Sequence, residues 1–305
     1  MQFTPLRRVA LFLALAYGFA WPLSFGFFAL GGSVKSPLFA LFAVVCMSTP
    51  AVAAVITQKV IRKDLWRNLG LRTPRVRWMV IAWLGPVLLV GIALAASFLS
   101  PGVSLGTGLE TLLTAVTDKV PAPQLPEIRR HLEQTFLARP GVLLWISIAE
   151  VLIAGPTVNA GVALGEEVGW RGFLWHELNP LGFWRSSFLI GFFWGLWHLP
   201  VIVNGYNYPG HPIVGPILMI VLTILISPLI GYVRLRAESV FAAAVFHGTF
   251  NAAATMVVFL KGGTVLLVGM TGLAGMLTLL LADAALWLHL RRNPIAVESA
   301  DRVSE

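Results

Sequence analysis

Apolar positions run along this chain in long unbroken stretches, neither alternating as in a half-buried strand nor confined to the stripe of a surface helix. Eight stretches can cross a hydrocarbon layer of about 30 Å, which takes about 20 helical residues. They cover residues 9–30, 37–58, 78–99, 141–164, 184–203, 213–233, 239–260 and 264–290. Barrel strands would be shorter and alternating, so the spans are helices, which satisfy their own backbone groups in lipid. The pattern predicts an all-α fold: a polytopic transmembrane bundle of about eight spanning helices, with residues 1–305 forming a single membrane domain. The first stretch is longer than a signal-peptide core and lacks a clean small-residue cleavage site, so it is read as a retained helix. Pro22, Pro50, Pro156 and Pro228 lie inside spans and predict kinks. The longest polar interruption, 100–140, reads as an external loop. In it Ile128, Leu132, Phe136 and Leu137 have helical spacing and suggest an amphipathic helix at the membrane surface.

Composition supports the membrane reading. Apolar residues make up 57% of the 305 residues and charged ones 12%, about half the share usual in soluble domains; mean hydropathy is +0.80. The single cysteine, Cys46, rules out an internal disulfide, a CxxC pair and a multi-thiolate zinc site. In its apolar surroundings it reads as a small buried hydrophobe. The net charge of +8 would suggest nucleic acid if the basic residues formed a patch, but they are sorted by loop. With the N-terminus inside, sixteen of the 22 Lys and Arg fall on inner segments and six on outer ones. This bias makes both termini cytoplasmic, assigns the charge to topology and anionic lipid, and excludes nucleic acid as a partner.

Ionisable groups inside spans are costly and mark functional candidates. They are Glu150, the Glu166–Glu167 pair with Arg171, His198, and His247 with Asn251; Asp283 and His289 form a weaker fifth group. On a helix Glu167 and Arg171 share a face and can pair. Glu166 is turned about 100° away and stays uncommitted, as a general base requires. Trp194 stands one turn before His198 and can pack on the imidazole. His247 and Asn251, four apart, can offer two donors to one point, the arrangement an oxyanion requires. The segment from His176 begins an HExxH pattern, but Pro180 occupies the second histidine position. Neither GxSG nor GxGD occurs. Zinc held by Glu166, His198 and His247 is chemically allowed.

Taken in order, Glu166-Glu167-xxx-Arg171, Trp194-xxx-His198 and His247-xxx-Asn251 resemble the motifs EExxxR, FxxxH and HxxxN of the CPBP family, which holds the CAAX prenyl endopeptidases and bacteriocin-processing (Abi) membrane proteins. The one departure is Trp194 in place of phenylalanine. The resemblance covers roughly 141–259 and implies a catalytic core over 141–260. It further implies a metal-independent glutamate protease with no cofactor, in which Glu166 and His198 activate water and His247 and Asn251 form the oxyanion hole. Glu167, Arg171 and Trp194 would support them. The partner is then a peptide or protein substrate, lipidated or membrane-associated, met in a bacterial cell membrane near the cytoplasmic face. Two other readings stay open: a non-catalytic membrane protein that binds a peptide or confers immunity through the same polar cluster, and a proton-coupled transporter. One tension stands. Glu166 falls near the cytoplasmic end of a span closing at residue 164, whereas His198 falls about 20 Å along the next.

Overall fold

A computed structural model describes residues 4–61, 69–110, 112–113, 122–139 and 141–295. Arg62, Lys63, Arg67, Lys119 and Arg302, which enter the charge count, lie outside the described residues, as does Pro140 at the end of the long loop. The chain forms α1 (Pro5–Ala29), α2 (Phe39–Ile61), α3 (Val76–Ser97), a loop helix α4 (Leu125–Leu137), a continuous helical run α5 (Val142–Leu181), α6 (Phe183–Trp197), the short α7 (Leu199–Val203), α8 (Val214–Ala237), α9 (Val240–Ala254) and α10 (Leu273–Arg292). The only strands among the described residues, Ser104–Leu105 and Leu260–Lys261, form a two-residue antiparallel ladder. This is an integral membrane protein, an all-α polytopic bundle. Seven helices among the described residues are long and apolar enough to cross a membrane.

Two sequence expectations need revision. The span expected over 184–203 is split at His198 into α6 and α7, so it does not count as a single long helix. The span expected to close at 164 instead continues to Leu181. Wide π-helical turns at Glu150–Asn159 and Val168–Leu174 let it continue. The first contains Pro156, whose missing N–H and bulky ring a wider turn absorbs. At about 1.5 Å per residue a 40-residue helix is ~60 Å long, so it must tilt or project beyond the hydrocarbon. Residues 165–178 look too polar to span, yet they are helical because their charges pair inside the bundle.

Helix termini follow local rules. Thr4 accepts a hydrogen bond from the Arg7 N–H, with Pro5 opening α1. Ser239 caps α9 by accepting from the Phe241 N–H. Its hydroxyl also donates to the Arg72 carbonyl, while Arg75 pairs with Glu238 at the end of α8. Arg8 Nε forms an ion pair with Glu177 Oε2 at 3.2 Å. One end of the bundle is therefore rich in cations and is tied by them. At the other end the ladder joins 104–105 to 260–261, Tyr208 donates to the Thr271 carbonyl at 2.8 Å, and the Phe39 and Tyr206 rings meet at 5.4 Å.

Glycines set how closely the central helices approach, since lipid offers no hydrophobic drive for helix association and small residues let backbones touch. A Cβ on Gly165 would lie 2.7 Å from the Met47 carbonyl oxygen, and one on Gly169 2.5 Å from Pro50. At Gly248 it would lie 2.3 Å from the Ala160 backbone nitrogen. Each glycine adjoins a motif: Gly165 precedes Glu166, and Gly248 follows His247. Many large apolar residues on the outside, among them Leu41, Leu88, Ile92 and Leu281, are exposed, as a lipid-facing surface requires. Gly248→Val is therefore expected to lower the melting temperature in detergent sharply, because the neighbour it would meet is backbone. Gly18→Val, where nothing lies within 4 Å, is expected to leave it nearly unchanged.

Candidate active site

Gly182, with φ +84°, turns the chain from α5 into α6. It is equidistant in sequence from Glu166 and His198. A helical hairpin about this point brings the two to the same depth, each about 24 Å from the turn at ~1.5 Å per residue. The tension in the sequence reading disappears because Glu166 lies within α5 and not at its end. Across the hairpin the Trp194 indole N–H donates to Glu166 Oε2 at 2.5 Å. Phenylalanine could pack in this place but could not donate, so the departure from the family motif adds a specific contact to Glu166.

Glu167 connects the other two motifs. Its Oε1 accepts from Arg171 Nη1 at 3.0 Å, one helical turn away, and lies 2.8 Å from His247 Nδ1 on α9. Arg171 also donates to Ser227 Oγ on α8 at 3.3 Å, and its guanidinium stacks 4.4 Å from the centre of the Trp194 ring. The side chains of Glu167 and Arg171 are fully buried, and that of His247 is 4% exposed. Buried charges survive only when paired and hydrogen-bonded. The His198 Nδ1 lies 2.8 Å from the Trp194 carbonyl. With that carbonyl as acceptor, Nδ1 carries the proton and Nε2 is left with a lone pair.

These groups meet at a cavity of about 510 Å³ lined by Glu166, Trp194, His198, His247 and Asn251. Its walls include Phe39, Phe42, Cys46 and Met47 from α2 and Met219 and Leu222 from α8. Arg171 and Glu167 do not line it and stand behind it. The cavity lies within the volume range of ligand sites, and its apolar walls with a few convergent polar groups match their usual character. Glu150 is exposed and does not line the cavity. Asp283 is buried on α10, and His289 bonds the Tyr232 hydroxyl at 3.1 Å; neither lines the cavity. Among the described residues no three His, Cys, Asp or Glu side chains are grouped so as to hold a metal ion.

Sequence reasoning missed Ser227 as a partner of Arg171, the bond from Glu167 to His247, and the part played by α1 and α2. Tyr17 donates to the Phe193 carbonyl at 2.9 Å and Trp21 to the Trp197 carbonyl at 3.3 Å, fixing α1 on α6. Only the polar tips of Tyr17 and Trp21 inside an apolar run hinted at this.

Fold and cavity together define a helical membrane protein with one carboxylate and two histidines lining an intramembrane pocket and a second, paired carboxylate behind it. Residues 143–253 match the family described as type II CAAX prenyl endopeptidase Rce1-like. A 46-residue stretch is 44% identical to CAAX prenyl protease 2 of Methanococcus maripaludis, covering 14% of this chain and 17% of that relative's length. The family likeness carried by the three motifs is thereby borne out.

The buried pair permits a test independent of any reaction. Arg171→Met leaves Glu167 with less than its full set of partners, and loss of one member of a buried pair costs about 3–5 kcal/mol. Thermal melts in detergent are expected to show a large loss for Arg171→Met and a partial recovery in Arg171→Met combined with Glu167→Gln.

Proposed function

We propose that the protein is an intramembrane, metal-independent endopeptidase of the glutamate type, with both termini cytoplasmic and its catalytic core in residues 141–260. The observation that carries this reading is the division of labour between adjacent carboxylates. Glu167 is occupied by Arg171 and His247, whereas Glu166 lines the cavity beside His198. The matched CAAX prenyl protease supports peptide-bond hydrolysis.

In this mechanism Glu166, with His198 Nε2 as a second acceptor, takes a proton from a water molecule whose oxygen adds to the amide carbon. The carbonyl oxygen becomes an oxyanion, held by donors from His247 and Asn251, one helical turn apart on α9. In its doubly protonated form the His247 ring keeps one N–H on Glu167 and presents the other to the oxyanion. The proton held by Glu166 then passes to the leaving nitrogen as the C–N bond breaks, giving a carboxylic acid and an amine, and the acid then ionises by losing its remaining proton to solvent. Trp194 orients Glu166 through the indole N–H, and Arg171 holds Trp194 and Glu167 in place. The substrate is a peptide or protein segment, lipidated or membrane-associated, encountered in a bacterial cell membrane.

Cleavage of a peptide panel by purified protein in detergent tests this. Glu166→Gln, which keeps shape but cannot accept the proton, is expected to abolish turnover with an unchanged melting temperature. Chelator is expected to leave the wild-type rate unaltered, and zinc-dependent recovery of a chelated sample would contradict the mechanism. Asn251→Ala is expected to lower kcat about 10²–10³-fold, with little change in KM, because the donor acts on charge that develops in the transition state. A lowered melting temperature with normal kcat would make Asn251 a structural hydrogen bond instead.

A further inference from the structure

The cavity lies toward one end of the bundle, as the lining residues on α1, α2, α8 and α9 show. On α2 the lining residues lie between Phe39 and Met47, in the first half of the helix, with Lys59 in its last turn. On α8 they lie between Met219 and Ile226, with Arg234 and Arg236 in the last turn. On α9 they lie from His247 onward, away from the end tied to Arg72 by Ser239. On α1 the lining residue is Ser24, far along the helix from Arg7 and Arg8. On α6 the lining residues Trp194 and Trp197 lie at the end away from Gly182, and loop residues at the ladder end, including Tyr206, Gly263 and Thr264, line it as well. Tyr206 is 39% exposed, and Thr264 is exposed as well.

Basic residues thus cluster at the end opposite the cavity mouth. Cytoplasmic segments are the ones enriched in Lys and Arg. We propose that the cavity is entered from the extracytoplasmic side and that its occupant is an extended, apolar peptide segment presented there, not a chain terminus arriving from the cytoplasm. This differs from the cytoplasmic-face reaction expected from sequence, which placed Glu166 at the inner end of a shorter helix. The walls suit such an occupant: Phe39, Phe42, Met219 and Leu222 offer apolar surface above the polar base. The access half of the inference stands on geometry and charge; the substrate half rests on the peptidase reading.

Single cysteines in a full-length Cys46→Ser background test access on intact cells with a membrane-impermeant maleimide. Thr264→Cys and Tyr206→Cys at the mouth are expected to label without permeabilisation. Thr73→Cys at the basic end, where Thr73 is exposed, is expected to label only after it. The reverse pattern overturns the inference. The companion measurement supplies an impermeant fluorogenic apolar peptide, first shown to be cleaved in detergent, to sealed right-side-out and inverted vesicles. Cleavage is expected only in the right-side-out preparation, and cleavage confined to inverted vesicles overturns the inference while sparing the peptidase reading. If no peptide of the panel is cleaved in detergent while the mouth cysteines still label from outside, the peptidase reading and the substrate half fall together and the access half stands.

Discussion

A single carboxylate oxygen, Glu167 Oε1, holds three helices of this protein in register. It meets Arg171 from its own helix and His247 from α9, and Arg171 passes the connection on to Ser227 of α8. Glu167, Arg171 and Ser227 are buried, so each must find its partner in the protein. In a low-dielectric interior that requirement is directional as well as costly to violate. The close glycine contacts at Gly165, Gly169 and Gly248 have their reason here: the helices must approach closely enough for short polar side chains to reach across.

The neighbouring Glu166 is not drawn into that network except through the Trp194 indole. Two adjacent glutamates thereby acquire different environments, one locked behind the cavity wall and one at its base. The 100° step between successive helical residues is enough to produce this separation. The tryptophan that replaces the family's phenylalanine links them, since the same ring donates to Glu166 and stacks on Arg171. Recognition of the carboxylate is thus coupled to the integrity of the ion pair behind it.

The remainder of the bundle supplies depth and enclosure. Helix α5 runs well past the length a bilayer demands and reverses at Gly182, so that α5 and α6 bring Glu166 and His198 level. Helix α2, which carries none of the motifs, closes the pocket with aromatic and sulfur-containing side chains, and α1 adds Ser24. Cys46 is part of this wall, buried as its apolar setting in the sequence suggested.

Taken alone, the amino-acid sequence determined the membrane class, the all-α architecture and the family likeness, and it singled out Glu166, Trp194, His198, His247 and Asn251, which line the cavity. Hydrophobic run length and i,i+4 spacing are local properties, and lipid leaves the backbone little alternative to the helix. The pairing of Glu167 with Arg171 was legible for that reason. The reach of α5 beyond residue 164 was not, because its charges look solvent-facing until Glu167 and Arg171 are seen paired and hydrogen-bonded to His247 of α9 and Ser227 of α8. The Glu167–His247 bond, the Ser227 contact, the split of the 184–203 stretch at His198 and the end at which the cavity opens were likewise decided by the tertiary structure. Each depends on which helix faces which, and at what depth. That relation is set by packing between segments far apart in the chain, for which a periodic pattern within one segment carries no signal.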